Sequence, residues 1–108
     1  MEAAQMIYKL TNTFPNEEKF GLVAQMRRAA VSIPCNISEG AARQGKKEFK
    51  NFLSIAQGSL SELDTQLELV VGLGYISSEK TEKISALLLR IDKMLTALIR
   101  SLSVKSND

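Results

Sequence analysis

The 108-residue chain has no histidine, no tryptophan, one cysteine and two prolines. Without histidine the commonest general acid–base at neutral pH is missing. The lone Cys35 cannot close an internal disulfide, and no Cys/His cluster exists to hold zinc. Flanked by apolar residues, Cys35 reads first as a small packed side chain. No G-x-x-x-x-G-K-[ST] or G-x-G-x-x-G stretch is present to cradle phosphates. No run of about 18 apolar residues could span a bilayer. No basic-then-apolar segment opens the chain, so a cytoplasmic protein without membrane association is expected. Nothing calls for a cofactor, a metal or a catalytic group, and the expectation is a protein that is not an enzyme.

What the chain does have is helical periodicity. Leu53, Ala56, Leu60, Leu63, Leu67 and Val70 recur at alternating steps of three and four. Ile84, Leu88, Ile91, Leu95, Leu98 and Leu102 do the same, as do Val23, Met26, Ala30, Ile33 and Ile37. A shorter opening series offers Ala3, Met6, Leu10 and Phe14. Each series lays one apolar stripe along a helix at the repeat of coiled-coil packing. Strand-like alternation is absent over any useful length.

The punctuation between these stripes agrees. In "FPNEE" (14–18), Pro15 disfavours helix at Phe14, and Asn16 can cap a following helix with Glu17 and Glu18 in its first turn. "EGAARQGKK" (39–47) separates a second helix from a third. "LGYISSEK" (73–80) puts Gly74 where a helix end wants a left-handed residue and Ser77 or Ser78 where the next helix wants a cap. The reading is one all-α domain over 1–108, with helices at about 2–13, 17–41, 46–73 and 78–104, and a frayed "SND" at 106–108. Short connections favour an antiparallel up-down-up-down four-helix bundle.

"RRAAVSIPCNISEG" (27–40) complicates the second helix, because Pro34 removes the donor for the carbonyl of Ala30. The apolar phase nevertheless passes through Ala30, Ile33 and Ile37 without a slip, which favours one helix kinked at Pro34. The alternative is a break there and five helices. Opposite the apolar stripe lie Gln25, Arg28, Ser32, Asn36 and Glu39. On the third helix Ser54, Gly58, Ser61 and Thr65 oppose the leucines, with Glu62 and Gln66 beside them. Small residues on an outer face suit the close approach of another backbone. Arg27, Arg28, Ser32, Asn36, Glu39, Ser54, Gly58, Ser61, Glu62 and Thr65 are therefore the candidate subunit contact of a homo-oligomer. The alternative is an ordinary polar surface. Arg27 or Arg28 is expected to meet an acid such as Glu62, within or between subunits, because a buried charge needs a partner.

These residues carry a resemblance. The FP turn, Gly21-Leu22, Gln25, Arg27-Arg28, Ser32-Ile33-Pro34, Asn36-Ile37, Glu39-Gly40, Gly58-Ser59, Glu62-Leu63, Gln66-Leu67 and Leu73-Gly74-Tyr75 stand in family order. From Tyr8 almost to its end the chain resembles the four-helix-bundle proteins encoded in intervening sequences of bacterial 23S ribosomal RNA genes. It starts part-way along their first helix, and Cys35 stands where they have serine or alanine. A related branch is the accessory variability determinant of diversity-generating retroelements, a basic pentameric barrel that binds nucleic acid and a reverse transcriptase. The resemblance thus implies a bundle, a homo-oligomer with a pentamer foremost, and RNA or DNA and a nucleic-acid-processing protein as partners.

Charge is distributed unevenly despite a net value of +2. Residues 27–50 carry Arg27, Arg28, Arg43, Lys46, Lys47 and Lys50 against Glu39 and Glu48, whereas 51–79 carry acids only. Arg43, Lys46, Lys47 and Lys50 are the first candidates for phosphate contact, next to a helix N-terminus. Lys83, Arg90, Lys93 and Arg100 on the fourth helix are candidates to extend that surface. Two functions stay open: a nucleic-acid-binding or ribonucleoprotein accessory oligomer, and a protein–protein scaffold whose basic faces are solvated surface.

Overall fold

A computed structural model describes residues 2–18 and 21–103. Four helices account for most of them: α1 (Glu2–Thr11), α2 (Leu22–Ala41), α3 (Lys46–Gly72) and α4 (Ser78–Ser103), with a short 3-10 turn at Asn16–Glu18. No strand occurs among the described residues. α2 packs on α3, α3 on α4, and α1 on both α2 and α4. Among the described residues α1 and α3 do not come within 8 Å between Cα atoms, nor do α2 and α4, so these pairs are the diagonals of a four-helix bundle.

The apolar stripes account for the core. All six stripe residues of α3, Leu53 to Val70, are buried, with Val23, Met26, Ala30 and Ile33 of α2 and Ile84, Leu88 and Leu95 of α4. Ile91 and Leu102 are half-buried and Leu98 is exposed. α1 departs from the expected phase. Met6 and Leu10 are half-buried, and its inward face is Ala3, Ile7 and Thr11, followed by the buried Phe14. Thr11 enters the core because its hydroxyl donates to the carbonyl of Ile7 at 2.8 Å, so the buried polar atom is satisfied within its own turn.

The helix ends differ from expectation mainly at α2. It opens at Leu22 rather than 17, with Gly21 as its N-cap, and Asn16 begins the 3-10 turn instead of capping α2. α1 stops at Thr11, two residues short of the expected end. Residues 104 and 106–108 lie outside the described residues. α2 runs unbroken past Pro34, so the five-helix alternative does not apply.

Two glycines are tied to geometry. Gly74 takes φ +78° after α3. The N–H of Gly74 donates to the carbonyl of Val71 and that of Tyr75 to Val70, each at 3.0 Å, which is the Schellman closure of a helix end. Tyr75 then packs on Phe14 with the rings tilted at 57° and their centroids 5.6 Å apart, joining the α3–α4 turn to the α1–α2 connection. Gly40 is buried in α2 against Phe49 and Phe52 of α3: a Cβ there would lie 2.7 Å from Phe52 Cβ and 2.9 Å from Phe49 Cδ1. At Gly58 an added Cβ meets nothing within 4 Å, although a mid-helix glycine costs about 1 kcal/mol against alanine.

Helix length decides what is covered. At 1.5 Å per residue the ten residues of α1 span about 15 Å and the 27 of α3 about 40 Å. Near the start of α1 the described residues leave a cleft between α2 and α4. It forms a hollow of about 260 Å³ lined in part by Ala3, Ile33, Pro34, Ile37, Leu87 and Ile91.

Candidate functional site

The α2–α3 corner is built by two helix ends and a four-residue connection. α2 ends at Ala41 and α3 begins at Lys46, with Gly45 as an N-cap that makes no side-chain cap bond. The first N–H groups of α3 are therefore left to solvent or to an anion. Lys46 and Lys47 are exposed and Lys50 is half-buried. Among the described residues none of the three has an acid within ion-pair distance.

Arg43 behaves differently. Its guanidinium stands 3.9 Å from Glu39 and 3.8 Å from Glu48 and lies over the Phe52 ring, 5.2 Å from its centroid. Both ion pairs are about half-exposed and screened, so each contributes little to stability. Together they hold Arg43 against the corner instead of leaving it as free as the lysines.

On α4, Lys83, Arg90, Lys93 and Arg100 are all exposed. At 100° per residue they fall on the side opposite the buried Ile84, Leu88 and Leu95. They share a face but do not form one cluster with the corner. Lys83 and Arg100 are separated by about 25 Å along the helix axis. Gln57 on α3 donates to Asp92 at 3.0 Å and to Thr96 at 2.8 Å, so α4 beyond Thr96 lies alongside the early part of α3. Arg100 is the α4 residue brought toward the lysines.

The polar residues flanking Pro34 separate into inward and outward groups. Ser32 and Asn36, read from the sequence as part of an outer contact, are used within the chain. The Ser32 hydroxyl is 2.8 Å from that of Ser59 on α3, and the Asn36 amide donates to the Ser32 carbonyl and hydroxyl, each at 2.8 Å. Gln25, Arg28 and Glu39 are exposed, as are Ser54, Gly58, Ser61, Glu62 and Thr65. Gln66 is buried instead, and its amide oxygen has no hydrogen-bond partner among the described residues.

Among the described residues Arg27 meets no acid within its own chain. Its Nε donates to Thr11 Oγ1 at 3.0 Å, and its Nη2 donates to Asn12 Oδ1 at 3.1 Å and to the Tyr8 carbonyl at 3.4 Å. The guanidinium also covers the Tyr8 ring at 4.5 Å. Neutral acceptors and an aromatic face replace the carboxylate, and the residue pins the end of α1 to α2. The sequence gives no sign of this, because Tyr8, Thr11 and Asn12 lie on another element and none is acidic.

Among the described residues no group of three or more Asp, Glu, Cys or His side chains is placed to hold a metal ion. No helix among them is long and apolar enough to cross a membrane. A comparison with curated proteins finds no match. Among solved structures, the chain is similar to a protein of unknown function from the S23 ribosomal protein family of Bacteroides thetaiotaomicron. The two share 34% identity over 92% of this chain and 89% of that one, with a TM-score of 0.84. The sequence profile of the 23S rRNA-intervening sequence proteins matches residues 1–97, nearly the whole chain, and the protein belongs to that family.

Proposed function

We propose that the protein is a non-enzymatic, homo-oligomeric helical bundle whose α2–α3 corner holds the phosphate backbone of a nucleic acid. The observation that carries this reading is the trio Lys46, Lys47 and Lys50. These cations lie at the uncapped start of α3 and have no acidic partner among the described residues. A cation committed to an ion pair must give it up to bind phosphate, and within one copy of the chain the described residues offer these lysines none. Arg100 extends the surface from α4, and Arg43 shapes it from its braced position. Arg90, Lys93 and Lys83 carry it along the outer face of α4.

The oligomer in this reading is a ring, with a pentamer foremost by family resemblance, in which the corner recurs around an axis and its field is multiplied. The bare backbone at Gly58 supports close packing of subunits there. The same reading takes the bundle as strictly up-down-up-down, with α2 bent at Pro34. In its support, Ser32 meets Ser59 midway along α2 and α3, while Gly40, later in α2, lies against Phe49 and Phe52, earlier in α3. The nucleic-acid partner is RNA or DNA, and a nucleic-acid-processing protein is a further partner of the kind found in the retroelement branch.

A second reading is a protein–protein scaffold without nucleic acid. It is favoured by Leu89 and Met94, 56% and 65% exposed on α4. Titration with structured RNA and duplex DNA at two salt concentrations separates the two. The first reading expects binding that falls steeply with salt, by about 0.9 in log–log slope per duplex phosphate contacted. Changing Arg43, Lys46 and Lys47 together to glutamine should remove most binding and leave the oligomer intact. Equal binding by parent and variant refutes the corner as the site, and no binding at low salt leaves the scaffold.

A further inference from the structure

Two outer surfaces of the bundle are unpartnered in the single chain, and their charges match. The first is on α3. Ser54, Gly58 and Ser61 leave a shallow track with Ile55, 51% exposed, standing beside it. Among the described residues nothing fills the space over Gly58, whereas the bare backbone of Gly40 is used by Phe49 and Phe52. The track has lysines toward its start (Lys47 and Lys50) and acids toward its end (Glu62 and Glu68). The second surface is on α2. The exposed Val31 and Cys35 border an open hollow of about 550 Å³ whose remaining walls are Ala4, Pro34, Ser38 and Glu39. Arg28 lies on one side of it in sequence and Glu39 on the other.

We infer that α3 of one copy packs antiparallel on α2 of a neighbouring copy, with Val31 over Gly58 and Ile55 directed into the α2 hollow. The inference rests on the oligomer reading above and names the two surfaces that mate. Both helices rise about 1.5 Å per residue, so the register follows from one matched pair. With Val31 opposite Gly58, the neighbour's Arg28 falls at Ser61 and Glu62. The neighbour's Cys35 falls at Ser54, and its Glu39 falls at Lys50, one turn from Lys47. Arg28 then meets Glu62, and Glu39 meets Lys50. Parallel packing in the same register sends Glu39 to Gln66, between Glu62 and Glu68, and brings Arg28 toward Lys50. Like charges placed together oppose that arrangement.

The contact joins two different surfaces, so each copy offers both a donor and a receiver face. Such a head-to-tail contact closes into a ring or continues as a filament. A self-contact between two α3 helices would leave the hollow and Arg28 unused.

The test uses the full chain and three variants, Arg28→Glu, Glu62→Arg and the double change. Mass is measured by analytical ultracentrifugation across a dilution series, with helix content from circular dichroism. Each single change should weaken assembly at least about tenfold, because it sets like charges opposite each other. The double change should recover most of the loss, as should mixing the two single variants. A fourth variant, Gly58→Leu, should lose assembly with its helix content retained. Assembly unchanged by either single change overturns the pairing, as does a folded double variant that does not recover. If Glu62→Arg dissociates the oligomer and Arg28→Glu does not, the contact is α3 on itself: this inference fails and the oligomer stands. A parent chain that is monomeric throughout refutes both.

Discussion

Replacing Gly40 by alanine adds one methyl group where the α2 backbone lies against Phe49 and Phe52 of α3. The new Cβ would sit 2.7 Å from Phe52 Cβ, 2.9 Å from Phe49 Cδ1 and 3.3 Å from the Phe49 carbonyl oxygen. Phe49 can turn its ring, but Phe52 Cβ and the carbonyl are fixed to the α3 backbone. Relief therefore requires the helices to separate along a well-packed seam. Overpacking of this kind reaches about 3 kcal/mol. Against it stands at most about 1 kcal/mol gained by exchanging a helical glycine, here one residue from the end of α2, for alanine. The net expectation is a loss of about 2 kcal/mol. With an unfolding entropy of about 2.1 cal/mol/K per residue, that lowers Tm by about 9 °C in a chain of this size. The assay is urea or thermal unfolding followed by far-ultraviolet circular dichroism, at a protein concentration where parent and variant share one oligomeric state. Gly58→Ala is the matched control. It meets no atom within 4 Å in the single chain, so under monomeric conditions it should gain up to about 1 kcal/mol. A Gly40→Ala variant as stable as the parent, or a Gly58→Ala monomer that is less stable, would refute the assignment of close and open backbone.

Arg27→Ala should cost about 1–3 kcal/mol, because it removes charge-assisted hydrogen bonds to α1 and the cover over Tyr8. Hydrogen exchange should then show α1 losing protection ahead of α3. Ser32→Ala should cost about 1 kcal/mol by chemical denaturation, since the Ser59 hydroxyl and the Asn36 amide each lose a partner. Pro34→Ala restores a donor for the Ala30 carbonyl and should stabilise α2 by up to about 3 kcal/mol, read as a raised denaturation midpoint. A lowered midpoint would mean that the proline's geometry is needed for packing.

The sequence read most reliably where one helix face meets one environment. α3 is flanked by α2 and α4 and its leucine stripe is buried throughout, so its periodicity was sufficient. α1 was read one step out of phase. It packs on both α2 and α4, which leaves Met6 and Leu10 as apolar as Ile7, and its inward face includes a threonine that satisfies itself. Leu98 belongs to the α4 pattern yet is exposed. The basic corner was legible as a run of like charges. Its internal division was not: only geometry distinguishes Arg43, braced by two acids and a ring, from three lysines without partners. The bonds of Ser32 to Ser59 and of Asn36 to Ser32 were illegible for the same reason, since a polar residue that bonds across or along a helix has the spacing of one facing water.

The absence of tryptophan gives the aromatic contacts at the α1 end an optical use. Tyr8 and Tyr75 are the only tyrosines, so they dominate the near-ultraviolet signal of the folded chain. Both report on the same region: Tyr8 lies under the guanidinium of Arg27, and Tyr75 packs on Phe14 just after α1. Far-ultraviolet circular dichroism is instead weighted toward the three long helices. The two spectral windows therefore follow different parts of one molecule. A transition in which the near-ultraviolet signal collapses before helix content falls would record α1 leaving an otherwise intact α2–α3–α4 unit, without any label being introduced.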